Sequence, residues 1–148
     1  MTVLDRDSNG EMLRGHFVYL GFAEESGGAI HVKVGRSSDP YRRFLALSHA
    51  SPIEIKLFRC VRLPYLESSK IAEKLIHRGL AEFRSNGEWY RFDARIPEHK
   101  QTLHRVCRGV LDKVASSGWH WDTVHMKALR ALARQNQAIG RQISLKAA

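Results

Sequence analysis

Cysteine is nearly absent from the chain: Cys60 and Cys107 are the only two. They form no CxxC pair, so nothing in their spacing suggests a zinc framework. Each falls inside an apolar pattern, which predicts buried free thiols and fits a reducing cytoplasm. No apolar run is long enough to span a bilayer. Residues Met1 to Glu11 are acidic and polar and lack the apolar core of a signal peptide, so cytoplasmic residence is expected. Internal repeats and low-complexity tracts are absent as well. Acidic residues are scarce beside basic ones, 15 against 24, giving a net charge of +9 and a pI near 10.0. That balance points to a polyanionic partner, because clustered Lys and Arg release counterions from nucleic acid.

What remains is ordinary for a globular protein. A hydrophobic content of 43% supports a normal core. With 148 residues, one domain with a helical appendage is the simplest organisation. The most informative stretch runs from Val32 to Leu47. Val32 and Val34 flank Lys33 in the period-2 pattern of a strand. Gly35 permits a backbone turn where a side chain would obstruct it. Asp39-Pro40 then signals a helix start, with Asp as N-cap and Pro at the first position. Arg36, Arg42 and Arg43 therefore surround one strand-to-helix corner suited to holding a phosphate.

Taken in order, residues 1–15 read as a loose arm. His16 to Phe22 reads as a strand, Glu24 to Gly28 as a turn and Ala29 to Gly35 as the return strand of a hairpin. The helix from Asp39 ends near Ser48, and Ile53 to Arg62 makes a third strand. Pro64 opens a helix over Leu66 to Arg84, with Ile71, Ala72, Leu75, Ile76, Leu80 and Phe83 on one face. Lys70, Glu73 and His77 share an adjoining face at i+3 and i+4 steps. Asn86-Gly87 closes that helix, and Glu88 to Asp93 reads as a short last strand. Beyond Ala94 the pattern is helical: one helix from Pro97 to Gly118, a Trp119-His120-Trp121 corner, and a last helix capped by Asp122 or Thr123. From Ala94 to the C-terminus ten Lys or Arg face three acidic residues. Residues 16–94 form the expected domain and 95–148 a basic two-helix extension.

A resemblance emerges from the ordered set. Tyr19 lies on the first strand, Lys33-Val34-Gly35 ends its hairpin partner, and Arg43 follows Gly35 by eight positions. Glu73 sits in Ala72-Glu73-Lys74-Leu75-Ile76-His77, and Gly87-Glu88-Trp89-Tyr90 closes the series. Together these residues resemble the GIY-YIG nuclease superfamily, in the short phage- and mobile-element-associated branch whose second motif reads Lys-hydrophobic-Gly. The likeness covers Phe17 to Asp93. It implies an α+β (α/β) fold, a small three-stranded antiparallel sheet flanked by helices, and a bacterial or phage-encoded protein. It implies hydrolysis of a DNA phosphodiester with a divalent metal, Mg²⁺ or Mn²⁺. Glu73 matches the metal-ligand carboxylate, Arg43 the phosphate-neutralising arginine, and Tyr19 the residue that activates or positions the attacking water.

The chemistry suits these residue types. A fixed guanidinium counters developing phosphate charge better than a mobile ammonium. A hard cation takes carboxylate and water oxygens. A tyrosine is a poor base at its normal pKa of about 10, so a neighbouring Lys33, Arg43 or metal would have to lower it. Lys33 replaces the tyrosine of the superfamily name and joins the catalytic candidates. Arg36, Arg42, Lys70, His77 and Arg84 are candidate DNA contacts, while Gly35, Glu88 and Trp89 complete the motif, with His77 and Glu88 as supporting groups. The competing reading, prompted by Lys33, is a non-catalytic nucleic-acid-binding module of the same fold. The C-terminal helix, with Leu129, Leu132, Asn136, Ile139 and Ile143 at coiled-coil-like spacing, suggests either homodimerisation or docking on its own domain.

Overall fold

The computed structural model describes residues 15–124. The N-terminal arm, the last helix with its coiled-coil spacing and the homodimer expected through it lie outside the described residues. Strand β1 (His16–Glu24) and β2 (Ala29–Ser37) form the expected hairpin; α1 (Pro40–Ala50), β3 (Ile55–Leu63) and α2 (Leu66–Gly79) follow. After a 3₁₀ turn at Ala81–Phe83 come β4 (Arg84–Asn86), β5 (Trp89–Asp93), α3 (Pro97–Val114) and β6 (Asp122–Val124).

The α+β class stands, but the sheet is not three-stranded. Among the described residues it has six strands in the order β4-β5-β2-β1-β3-β6, each antiparallel to its neighbour. The first three strands in sequence make the centre of this sheet, and burial explains the additions. Tyr90 and Phe92 alternate into the core as β5 pairs with Ala29–Lys33 of β2. At the other edge Thr123 and Val124 are buried as β6 pairs with β3. Asp122 and Thr123 are thus strand residues rather than helix caps.

β1 has few polar residues because it is central and covered on both faces. Val18 and Leu20 join Val32, Val34, Val61 and Leu63 under α2 and α3. Phe17, Tyr19 and Ala23 face the other way, against Phe58, Cys60 and the α1 residues Phe44 and Leu47. The helices follow local chemistry. The Asp39 side chain accepts from the Arg42 N–H at 3.1 Å, and Pro40 occupies the first turn of α1. On α2, Ala72, Ile76 and Leu80 turn inward at i+4 spacing, while Ile71 is exposed rather than on the buried face. α2 ends at Gly79, earlier than its periodicity suggests, and α3 crosses there. A Cβ on Gly79 would come within 2.5 Å of Val106 Cγ1, so the two helices approach closely at that point. Asn86-Gly87 does not close a helix; Gly87, at φ 55°, makes the turn between β4 and β5. α3 buries Leu103, Cys107 and Leu111 in the same cluster as the sheet, and stops at Val114 before reaching Gly118.

Both cysteines are free and buried, as their apolar contexts predict. Burial pushes each thiol up to about 12. Trp119 and Trp121 meet edge to face with centroids 6.1 Å apart, and Trp119 Nε1 donates to Asp112 at 2.8 Å. No helix among the described residues is long and apolar enough to cross a membrane.

Candidate active site

Pairing in the sheet creates the site. β5 runs alongside β2 only from Ala29 to Lys33, after which the Val34 N–H bonds to the Glu88 carbonyl. Among the described residues, no strand pairs with that edge of β2 from Gly35 to Ser37. A cleft of about 440 Å³ opens there, lined by residues from both faces of the sheet, among them Tyr19, Gly35, Arg36, Arg43, Glu73 and Glu88. β1 and α1 supply Tyr19 and Arg43, α2 supplies Glu73, and the β4–β5 turn supplies Glu88.

Tyr19 lies opposite Gly35 in the hairpin register and its side chain crosses over that glycine. A Cβ on Gly35 would overlap the Tyr19 hydroxyl, so the glycine is required by close approach rather than by its φ. The Tyr19 ring is fully buried and stacks on Phe58 at 5.1 Å, and its hydroxyl accepts from Arg43 Nε at 2.9 Å. One guanidinium nitrogen is thus committed to orientation, and Arg43 lines the cleft on an exposed side chain.

Burial raises the Tyr19 pKa above 10.0, and the Arg43 hydrogen bond and charge oppose this without reversing it. Lys33 does not act on the phenol as sequence reasoning allowed. Its ammonium, nearly buried, donates to Glu88 Oε2 at 2.5 Å. That bond holds the Glu88 carboxyl below its ordinary value. Tyr19 is therefore a protonated phenol at neutral pH. In an ultraviolet difference titration, Tyr19→Phe should remove absorbance only above pH 10.0. Loss of a transition at lower pH would show that the cleft activates the phenol.

Glu73 faces Arg36, with Oε2 at 3.4 Å from Nε, and His77, with Oε1 at 3.9 Å from Nε2. Desolvation pushes its carboxyl up; Arg36 pulls it down and Glu88 adds to the rise. The i+4 step on α2 puts Glu73 and His77 on one face, as the periodicity predicts. The turn before β5 then brings Glu88 to the same place. Donor atoms of Glu73, His77 and Glu88 all lie within 4.8 Å of one another. Two carboxylates and an imidazole in such proximity are a donor set that fits a divalent cation.

The other candidates divide. Arg36 lines the cleft. Arg42 is exposed on α1, where its backbone N–H serves the Asp39 cap. Lys70 is exposed and pairs with Glu67 at 3.5 Å, away from the cleft lining. Arg84 on β4 is exposed, and its charge acts on Tyr90. Trp89 is half-buried and packs against the Tyr19–Phe58 cluster. Tyr90 is the residue that sequence reasoning missed. Its hydroxyl meets His77 Nδ1 in a hydrogen bond. Alternation with Phe92 marks it as core, and only the pairing of β5 with β2 under α2 sets its hydroxyl beside the histidine.

Comparison with protein families assigns residues 16–114, two-thirds of the chain, to the T5orf172 domain. The chain belongs to the T5orf172 domain family. That match starts with β1 and ends with α3, so it includes every element bearing a cleft residue. The T5orf172 domain is a nucleic-acid-related one, in keeping with the charge of +9. No curated protein and no solved structure matches the chain.

Proposed function

We propose that this T5orf172 domain is a metal-dependent DNA endonuclease of the GIY-YIG type, hydrolysing a phosphodiester in the cleft beside β2. The observation that carries this reading is the convergence of Tyr19, Arg43 and Glu73, from β1, α1 and α2, on one open cleft. A merely structural arginine would pair with a carboxylate. Arg43 instead hydrogen-bonds a phenol and keeps its charge for an incoming anion.

Each side chain has a role suited to its state. Arg43 presents its terminal nitrogens to two phosphate oxygens and counters the charge that builds on them during attack. Tyr19, protonated and already accepting from Arg43, donates a hydrogen bond from its hydroxyl to a phosphate oxygen. It positions rather than deprotonates. Arg36, at the cleft wall, is placed to meet a neighbouring phosphate. Glu73 would hold the divalent ion, which when bound supplies a Lewis acid for the phosphate and its leaving oxygen.

Plasmid DNA incubated with the purified protein and Mg²⁺ or Mn²⁺ tests the proposal. Wild type should nick it, chelation should stop the reaction, and Glu73→Gln should slow it by about 10³-fold, the scale expected for removing a group on which transition-state charge depends. Nicking by Glu73→Gln at the wild-type rate would remove the metal role. The rival reading, a module that holds DNA without cutting it, draws on Lys33 being tied to Glu88. It predicts salt-dependent binding that survives Tyr19→Phe and needs no metal.

A further inference from the structure

We infer that His77 and Glu88 join Glu73 as direct ligands of one ion, making a mixed nitrogen–oxygen site that prefers Mn²⁺ and similar transition ions to Mg²⁺. This rests on the reading of Glu73 as a metal ligand and extends it to two residues and a selectivity. The first support is an unanswered atom. His77 Nε2 is buried and has no hydrogen-bond partner among the described residues. Glu73 Oε1 is 3.9 Å away, too far for a hydrogen bond but close enough to share an ion. Leaving a buried polar nitrogen unpaired is unfavourable unless something else satisfies it.

The second support lies on the other side of the ring. His77 Nδ1 is hydrogen-bonded to the Tyr90 hydroxyl, which also reaches the His77 carbonyl at 3.5 Å. With Nδ1–H donated to Tyr90 and the Tyr90 proton directed at that carbonyl, Nε2 carries the free lone pair, 3.9 Å from Glu73 Oε1 and in one donor cluster with Glu88. A metal-binding imidazole characteristically has its second nitrogen fixed in this way. Glu73 pairs with Arg36 through Oε2 at 3.4 Å and Glu88 with Lys33 through Oε2 at 2.5 Å, so a dication binds in competition with these two cations.

The donor set decides selectivity. Mg²⁺ favours oxygen and keeps much of its water, whereas an imidazole strengthens binding of Mn²⁺, Co²⁺ and Zn²⁺. A site of Glu73 alone would show little such preference.

Mn²⁺ binding to the full chain, followed by loss of the free-ion electron paramagnetic signal, tests this together with Mg²⁺ competition. One Mn²⁺ should bind per chain, at least about tenfold tighter than Mg²⁺. His77→Ala should weaken Mn²⁺ binding by roughly 10- to 100-fold while changing Mg²⁺ binding far less, and Glu88→Gln should weaken both. Because His77→Ala also breaks the Tyr90 bond, the ¹⁵N imidazole shifts of the wild-type protein give a second readout. Added Zn²⁺ should move His77 Nε2 and leave Nδ1 nearly in place. Mn²⁺ binding lost in Glu73→Gln but unaltered in both His77→Ala and Glu88→Gln, with a static Nε2 shift, overturns this inference and spares the function proposed above. Tight three-ligand binding with no DNA cleavage does the reverse. Failure of the wild type to bind Mn²⁺ sinks both metal assignments.

Discussion

Gly35→Ala is expected to destabilise the protein by about 2–3 kcal/mol and to abolish cleavage as well. The added Cβ would lie 2.5 Å from Tyr19 Cζ and 2.9 Å from Cε1 and would overlap the hydroxyl. The ring has nowhere to retreat. It is fully buried and stacked on Phe58, which itself meets Phe44 edge to face at 5.2 Å. Either the hairpin pulls apart or Tyr19 leaves its place, and both break the bond that orients Arg43. A thermal melt should show a drop in Tm on the order of 10 °C. Adding Tyr19→Phe should recover little of the stability, because ring carbons at 2.5 and 2.9 Å still meet the new methyl, and should not recover cleavage. An unchanged melting point in Gly35→Ala would mean that the Tyr19 hydroxyl does not lie across β2.

The second large effect concerns Arg43→Lys, which keeps the charge and removes the geometry. Lysine offers one compact ammonium. It cannot donate to Tyr19 from one nitrogen while holding two phosphate oxygens with others. Single-turnover cleavage should fall by about 10³-fold, in line with the loss of a group that neutralises transition-state phosphate charge. DNA affinity and its salt dependence should change little, since the count of cationic contacts is preserved. A loss smaller than about tenfold would show that position 43 acts on phosphate only as a point charge and that the hydrogen bond to Tyr19 is incidental to catalysis.

Much of this site is visible in the sequence because it is built from local signals. Asp39-Pro40 places the start of α1 and so the exposed turn bearing Arg42 and Arg43. The i+4 step places Glu73 beside His77. Other parts need partners distant in the chain. Lys33 reads as a substitute for a catalytic tyrosine, and whether it serves the phenol or another group depends on Glu88, 55 residues away. Lys70 shares a helical face with Glu73 on paper, yet it pairs with Glu67 and leaves the cleft. Sheet size escapes for a related reason. β4 and β6 are three residues each, too short for any alternation to register, and they exist because an edge of the sheet lies beside them.

The sequence by itself determined the basic charge, the order of the central elements, the buried free thiols and the ordered set from Tyr19 to Glu88. Those follow from composition, period and capping, which act within a few residues of chain. Only the tertiary structure decided that the sheet has six strands, that β5 leaves β2 at Lys33 and so opens the cleft, and that Gly35 is glycine to make way for Tyr19. Only it set the Tyr90 hydroxyl against one nitrogen of His77 and left the other near Glu73, with Glu88 in the same cluster. Each of these depends on atoms brought together across the sheet, where burial and register, rather than local propensity, fix which groups meet.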